Sequence, residues 1–230
     1  MNCPSCANPV PDDARFCPNC GHLLRGAEER RIVTVLFADL VGFTALGELR
    51  DPEQLKLLVD RCFERLVADI TAFGGSGDKI VGDAIVALFG APLAHEDDPE
   101  RAVRAALRMQ RTVDEVSADL DTRIRMRIGV NTGEVLVGAL RAGGDYTAMG
   151  DTVNLAARLE TTAAPGEILV GPTTYEATRE VVRYDARGTM AVRGREGAIA
   201  VHVATEELTL PGRRPRPQRA PLVGRDAEIN

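Results

Sequence analysis

The sequence predicts an α+β fold in which strands and helices alternate around one sheet. Three patterns carry this prediction. Residues 32–37 form a run of β-branched and apolar side chains that is typical of a buried strand. Residues 52–73 repeat apolar side chains at helical spacing. Residues 123–130 place apolar side chains on one face and arginines on the other, as in a half-buried strand.

The elements that follow the first strand are set by local sequence signals. The helix over 52–73 carries Cys62 on its apolar face, where a packed core thiol is expected. The glycine-rich residues 74–77 break this helix. Residues 79–89 then predict two short strands around a Gly-Asp turn, and residues 98–117 predict a second helix.

The second half of the domain continues the alternation. Residues 134–140 predict the hairpin partner of the strand over 123–130. Residues 151–162 predict a helix with Asp151 as its N-cap, and short strands with one helix fill residues 167–203. The resulting order, β-α-β-β-α-β, is that of a ferredoxin-like layer of sheet and helices.

Composition narrows the function classes. The chain has 230 residues, of which 44% are hydrophobic and 27% charged, and this balance is typical of globular proteins and excludes wholesale disorder. A net charge of −6 and an aromatic content of 4% without tryptophan argue against nucleic-acid binding and against attraction to an anionic membrane.

No targeting or membrane segment is readable in the sequence. The most apolar stretch, residues 80–89, is too short to span a bilayer and carries Asp83. The first residues lack the basic start and apolar core of a secretory signal. We therefore expect a cytoplasmic protein.

Residues 1–24 predict a zinc ribbon. Two Cys-x-x-Cys turns, Cys3 with Cys6 and Cys17 with Cys20, are separated by ten residues and together supply a tetrahedral four-sulfur shell for a structural Zn²⁺. A segment this short cannot build its own core, so metal binding would supply its folding energy. The alternatives are two disulfides in a secreted knot or redox thiols. The segment resembles the zinc ribbons at the N-termini of many bacterial multidomain proteins, and His22 is expected to be a bystander.

The segments before and after the main domain are predicted to be connectors. Residues 25–30 form a charged connector to a domain over 31–205, and residues 206–221 form a linker rich in proline and arginine. An extended spacer is the favoured interpretation of this linker, and a basic nucleic-acid arm is the alternative. Residues 222–230 resemble the start of an ATPase module, but no phosphate loop follows, so we expect the sequence to be a truncated piece of a longer chain.

Four polar side chains suggest a site. Asp39 directly follows an apolar strand and Asp83 lies at a strand turn, where an unpaired charge would be costly. They are either turn or cap residues, or two carboxylates that share divalent metal. Asn154 and Arg158 are four residues apart and share a helix face, where such residues are usually solvated surface but could also stabilise charge on a phosphate.

Four motifs in one order resemble the class III nucleotidyl cyclase catalytic domain. They are Phe-Ala-Asp-Leu-Val-Gly-Phe-Thr over 37–44, Lys-Ile-Val-Gly-Asp over 79–83, Arg-Ile-Gly-Val-Asn-Thr-Gly over 127–133 and Gly-Asp-Thr-Val-Asn-Leu-Ala-Ala-Arg over 150–158. The resemblance covers about residues 31–205. In that family two domains pair head to tail and build the active sites at their interface, so the resemblance implies a homodimer.

The resemblance also implies residue roles. Asp39 and Asp83 of one protomer would hold two Mg²⁺ or Mn²⁺ per active site. From the other protomer, Asn154 would orient the ribose and Arg158 would support the α-phosphate, while Lys79 and Thr147 would read the base.

Further residues are assigned to the phosphates by the same resemblance. The main chain over residues 40–44, which includes Phe43 and Thr44, would help to hold the triphosphate. Arg127 occupies the place of a basic phosphate contact, although a solvated strand arginine is the alternative. Either Arg193 or Arg195 would replace a lysine that grips the terminal phosphates.

Hydrogen-bond chemistry at the base favours ATP as the substrate. Lys79 offers only donors, which suit the acceptor at adenine N1 and oppose the donor at guanine N1. The Thr147 hydroxyl can accept from adenine N6. Guanylyl cyclases of the family usually have Glu at the position of Lys79. The expected reaction is therefore conversion of ATP to 3′,5′-cyclic AMP and pyrophosphate.

Thr147 is a departure from the Asp that most family members carry. It resembles a Thr-containing subgroup that often responds to bicarbonate, so bicarbonate is a hypothetical effector. Three alternative functions remain open: a guanylyl cyclase, a catalytically silent module that binds nucleotide or dimerises to regulate the ATPase region that follows, and a zinc-ribbon nucleic-acid binder.

Overall fold

The computed structural model of the chain describes residues 2–3, 6–11, 14, 17–20, 29–41, 52–81, 83–119, 124–139, 146–191 and 197–208. Eight strands and four helices lie within this part of the chain. They are β1 (Glu29–Val41), α1 (Pro52–Ala72), β2 (Ser76–Val81), β3 (Ala84–Phe89), α2 (Asp98–Asp119), β4 (Arg125–Ala139), β5 (Tyr146–Met149), α3 (Asp151–Thr162), β6 (Ile168–Val170), α4 (Pro172–Thr178), β7 (Val182–Ala191) and β8 (Ala198–Glu207).

The strands form one sheet in the order β2-β3-β1-β4-β6-β8-β7, with β5 paired to β4. β1 lies at the centre of the first half, antiparallel to both β3 and β4. The sequence from β1 to β4 has the predicted β-α-β-β-α-β order, so the predicted α+β fold is confirmed. None of the helices that the structure describes is both long and apolar enough to cross a membrane.

The sheet separates two apolar clusters because successive β1 side chains point to opposite faces. Leu36 and Leu40 pack on the face covered by α1 and α2. Leu66 and Ile70 of α1 have no exposed surface, and burial of each side chain stabilises the fold by about 1.5–3 kcal/mol. Cys62 lies in the same cluster with 1% of its surface exposed, as predicted.

The opposite face of the sheet carries α3. Val33 and Val35 of β1 pack there with Ala156 of α3. The helix is therefore held against the strands that carry the predicted site residues.

One predicted hairpin is wrong. Residues 123–130 and 134–140 were expected to be two strands joined by a turn, but β4 runs without interruption over Arg125–Ala139 and pairs with β1 from Arg125 to Val137. The hairpin partner of β4 is β5. The glycine at the expected turn serves close packing instead, because a β-carbon on Gly133 would lie 2.6 Å from Thr152 Oγ1 of α3.

The predicted N-cap of α3 is also wrong. The N-cap residue is Gly150, whose positive φ of 141° favours glycine. No side chain makes a capping hydrogen bond there. Asp151 is the first helical residue, where its negative charge complements the positive end of the helix dipole.

Candidate active site

The two predicted metal-binding carboxylates lie at the same end of two paired strands. Asp39, near the end of β1, is opposite Ala84, the first residue of β3. Asp83 directly precedes Ala84, and its carbonyl oxygen accepts a hydrogen bond from the Leu40 N–H at 3.3 Å. The register therefore places Asp83 one residue before the strand partner of Asp39.

Arg127 lies on the other side of Asp39. The register of β1 and β4 places these two residues directly opposite each other. Arg127 Nη2 donates a hydrogen bond to Asp39 Oδ2. In this structure the residue expected to contact phosphate therefore pairs with one of the residues expected to bind metal.

A third acid, which the sequence analysis missed, completes the group. Glu160 of α3 places Oε1 3.5 Å from Arg127 Nε, and its side chain is only 13% exposed. The sequence offered a weak signal, since Glu160 lies four residues after Ala156 on a helix face that is otherwise apolar. Which strand this face meets is decided by tertiary packing, so its partner could not be read from the sequence.

The charges around Asp39 favour the binding of a cation. The hydrogen bond to Asp39 raises the pKa of Arg127, and the charges of Asp39, Glu160 and Asp83 add to this rise. Burial raises the pKa of Glu160, and repulsion from Asp39 raises it further. Asp39 and Glu160 thus share a single guanidinium, the charge of Asp83 acts on the same group, and a cation would relieve the repulsion among these acids.

The donor set fits a hard divalent cation. Mg²⁺ is typically held by one or two carboxylates together with substrate phosphates, which matches Asp39 and the exposed Asp83. Asp39 Oδ2 is already engaged by Arg127, so a cation must share or displace this ion pair. Asp39 and Asp83 are the described residues that could hold Mg²⁺ or Mn²⁺ here, with phosphate oxygens of a ligand completing the coordination.

The position of α3 is fixed by a close approach to β4. A β-carbon on Gly129 would lie 2.3 Å from both Ala156 O and Glu160 N, so only glycine lets the helix backbone come this near. The close approach brings Glu160 next to Arg127, which lies two residues before Gly129 on the strand.

Asn154 and Arg158 lie on other faces of α3 than Glu160. At about 100° per residue, Glu160 is about 160° from Arg158 and about 120° from Asn154 around the helix. Asn154 is exposed and Arg158 is half-buried. The helix α3 therefore places Glu160 beside Arg127 of its own chain and carries Asn154 and Arg158 on other faces.

The other predicted substrate-binding residues are placed only in part. Lys79 lies on β2 opposite Val86, and Thr147 lies on β5 opposite Gly138, but the side chains of Lys79 and Thr147 lie outside the part of the chain that the structure describes. The predictions for Phe43, Thr44, Arg193, Arg195 and His22, and for the linker beyond residue 208, also fall outside the described residues.

The four N-terminal cysteines converge on one point. Their sulfur atoms all lie within 4.8 Å of one another, with Cys3 and Cys20 at 3.6 Å and Cys6 and Cys17 at 3.6 Å. Tetrahedral zinc with Zn–S bonds of about 2.3 Å requires sulfurs about 3.8 Å apart, so the group fits this ion. All four are free thiols, not disulfides.

Local hydrogen bonds also favour the zinc-binding form of one thiol. Donors at Asn8 and Asn19 lower the pKa of Cys6 to about 6. The thiolate is the form that ligates metal. Within the described residues these cysteines are the only group of three or more candidate metal ligands that converge in this way.

A separate cavity of about 590 Å³ lies between β4 and the starts of α3 and α4. Arg30, Glu134 and Asp151 supply the charges of its lining. Glu134 is paired with Arg30 at 3.0 Å. The described lining includes none of the residues predicted to bind metal or nucleotide.

Two known families match this chain. The family described as "Adenylate and Guanylate cyclase catalytic domain" matches residues 26–205, and a zinc-ribbon domain matches residues 2–24. Adenylate cyclase 1 of Rhizobium meliloti is 30% identical over 190 residues, which cover 79% of this chain and 29% of the relative. The chain thus spans less than a third of that protein.

Solved structures are similar over most of the chain. The adenylyl cyclase CyaB from P. aeruginosa has a TM-score of 0.76 and 30% identity, and the match covers 79% of this chain and 97% of CyaB. The guanylyl cyclase Cya2 has a TM-score of 0.72 and 34% identity, with 78% and 94% covered. Proteins named for either base are therefore among the similar structures.

Proposed function

The chain belongs to the family of adenylate and guanylate cyclase catalytic domains, and we propose that it is an adenylyl cyclase acting as a homodimer. The reaction would convert ATP to 3′,5′-cyclic AMP and pyrophosphate. The observation that carries the proposal is the placement of Asp39 and Asp83 at the same end of the paired strands β1 and β3, where Asp39 pairs with the Arg127 guanidinium, a group that suits phosphate.

Asp39 on β1 and Asp83, just before β3, would hold the cations that activate the nucleophile. Cations held by Asp39 and Asp83 would lower the pKa of the ribose 3′-hydroxyl and neutralise charge on the leaving pyrophosphate. The 3′ oxygen then forms a bond to the α-phosphorus, the bond from that phosphorus to pyrophosphate breaks, and the hydroxyl proton passes to solvent. Arg127, already beside Asp39, would bind the phosphates once it is released from the carboxylate.

Asn154 and Arg158 would act on a nucleotide bound to the partner's acids. Their positions on α3, on other faces than that of Glu160, support a site completed by a second copy of the chain. Asn154 would donate or accept a hydrogen bond at the ribose, and Arg158 would stabilise the charge that develops on the α-phosphate.

Base selection would depend on Lys79 and Thr147. The ammonium of Lys79 only donates, so it would meet the acceptor at adenine N1 but oppose the donor at guanine N1. An opposed pair of buried donors costs about 1–3 kcal/mol, or roughly 5–150-fold in preference. Since the family includes both specificities, Lys79 is the feature that favours ATP.

The similarity to Cya2 favours one second candidate, a guanylyl cyclase. A single experiment separates the two. The chain is incubated with Mn²⁺ and equimolar ATP and GTP, and the products are identified by mass. We expect cyclic AMP to dominate. Predominant cyclic GMP would establish the second candidate, and no cyclic nucleotide would refute catalysis and favour a silent regulatory module.

The substitution Lys79→Glu tests the assigned base contact. It should shift preference from ATP towards GTP, because a carboxylate accepts from guanine N1. Unchanged preference, with the protein still active, would remove Lys79 from the base site.

The remaining proposals concern the domains of the chain, its location and an effector. We propose that residues 1–24 hold a structural Zn²⁺, that residues 31–205 form the catalytic domain, and that 206–221 connect it to an ATPase-like module. Four zinc-bound thiolates suit a reducing compartment, which supports a cytoplasmic location. Bicarbonate is proposed as an effector because of Thr147. Equal cyclic AMP formation in bicarbonate and chloride at fixed pH would contradict this.

A further inference from the structure

Glu160 is a largely buried acid, with 13% of its side chain exposed, to which the proposed reaction assigns no task. Its Oε2 accepts a hydrogen bond from the Thr161 hydroxyl at 3.2 Å. Its Oε1 and Arg127 Nε are both buried, and neither atom has a hydrogen-bond partner among the described residues. A buried carboxylate oxygen without a partner is costly, so this pair of unsatisfied atoms calls for an explanation.

Arg127 Nε and Glu160 Oε1 lie slightly beyond hydrogen-bonding distance of each other. They are 3.5 Å apart, and a good N–H···O contact spans about 2.7–3.2 Å. A guanidinium has five donors in a rigid fork, so Arg127 cannot adjust Nε without also moving the Nη2 that holds Asp39. Arg127 therefore has two competing acceptors, Asp39 on β1 and Glu160 on α3.

Glu160 is the fixed member of this trio. At Gly129 there is no room for a β-carbon between β4 and the backbone of Ala156 and Glu160, so the α3 backbone lies directly against β4. Arg127 has a long side chain that is 29% exposed, so it has room to move. A shift of the guanidinium from Asp39 towards Glu160 is thus the simplest rearrangement that frees a carboxylate oxygen for a cation.

We propose that Glu160 is a positioning residue that accepts Arg127 when a divalent cation binds Asp39. The inference rests on the proposed function, because it assumes that Asp39 is a metal ligand. Glu160 then lowers the cost of cation binding, since the displaced guanidinium keeps an ionic partner. It also leaves Arg127 beside the cation, where phosphates can reach it.

The proposal predicts opposite effects for two substitutions. Glu160→Gln should weaken cation binding, because Arg127 then has no second anion and stays on Asp39. Arg127→Met should strengthen cation binding, because the competitor is gone. A direct long-range attraction between Glu160 and the cation would also weaken binding in Glu160→Gln, so the two causes must be separated.

A double-mutant cycle separates them. Mn²⁺ binding to the zinc-loaded full chain is measured by electron paramagnetic resonance without nucleotide, in the wild type, both single variants and the double variant. Glu160→Gln should raise the Mn²⁺ dissociation constant about tenfold in the wild-type background, a coupling in the range found for contacting residues. In the Arg127→Met background the same substitution should change it by less than about twofold.

Two controls frame the result. Asp39→Asn should abolish the measured binding, and Glu115→Gln should leave it unchanged, because Glu115 pairs with Arg65 and Arg108 on an exposed helix surface. Thermal unfolding of every variant establishes that it is folded.

Three outcomes would overturn the inference. They are an equal loss of affinity from Glu160→Gln in both backgrounds, no loss in either, and Mn²⁺ binding that does not depend on Asp39. The product assay with ATP and GTP is read separately. Coupled Mn²⁺ binding without a cyclic nucleotide refutes the enzyme but not the role of Glu160, whereas a cyclic nucleotide without coupling refutes only the role of Glu160.

Discussion

Replacing Gly129 by alanine tests whether the contact between α3 and β4 sets the site geometry. The new β-carbon would lie 2.3 Å from two backbone atoms of α3, Ala156 O and Glu160 N, and ordinary contacts begin at 3.4 Å. The helix would therefore have to retreat by about 1.1 Å. Both contacts are to backbone, so no side-chain rotation can relieve them.

Two opposing effects on stability can be compared. Gly→Ala in a strand restricts the unfolded chain and by itself stabilises a protein by about 0.4–1 kcal/mol. Overpacking costs about 1–3 kcal/mol and is expected to win here because the overlap is with backbone. The midpoints of these two ranges leave a net loss of about 1.3 kcal/mol, so at about 2–4 °C per kcal/mol for a chain of this size Tm should fall by roughly 3–5 °C.

Activity should fall more steeply than stability. The retreat of α3 would displace Asn154, Arg158 and Glu160 together, and a misplacement of about 1 Å can cost about 10²-fold in rate. The assay measures Tm by calorimetry and product formation with Mn²⁺ and ATP. Gly77→Ala is the matched control, because a β-carbon there would meet nothing within 4 Å. A Gly129→Ala protein that matches this control in both Tm and turnover would refute the reasoning.

Three further predictions concern separate parts of the chain. Arg158→Ala should lower kcat about 10²–10³-fold with little change in KM, measured by steady-state kinetics, because it removes a donor used in the transition state; a change in KM alone would contradict this role. The chain should bind one Zn²⁺, measured by elemental analysis, and Cys17→Ser should lose it; a full zinc content in that variant would contradict the four-thiolate site. Burial lowers the pKa of His202, which stacks on Tyr175 at 3.7 Å between ring centroids. The unfolded chain therefore binds that proton more readily, so the free energy of unfolding should decrease as pH falls below about 6.5. His202→Phe keeps the stacking and should reduce this decrease in urea unfolding; an identical pH dependence would show that other groups cause it.

The elements that could be predicted were those that short-range patterns of apolar residues specify. The apolar run of β1 and the helical repeat of α1 specify their own structures, because burial of one face decides between helix and strand. The uninterrupted β4 could not be predicted in this way. Its Asn-Thr-Gly segment has turn composition, and only the approach of Thr152 to Gly133 shows that the glycine serves packing.

The candidate active site was also predictable only in part. Asp39 and Asp83 stood out because acids in apolar runs demand a partner, and their motifs resembled a known family. The pairing of Asp39 with Arg127 depends on the register of β1 and β4, and the contact with Glu160 depends on how closely α3 approaches the sheet. Neither follows from residue spacing, since Asp39 and Glu160 lie far apart in the chain.

Mixing two inactive variants tests the central claim, that one chain's acids act with another chain's Asn154 and Arg158. Asp39→Ala should lack cation binding, and Arg158→Ala should lack the transition-state donor, yet a mixed dimer would contain one intact site. With random pairing half of the dimers are mixed and each has one of two sites intact, so roughly a quarter of wild-type activity should return. If mass spectrometry shows that mixed dimers form and cyclic AMP production stays at the level of the separate variants, the shared site is contradicted.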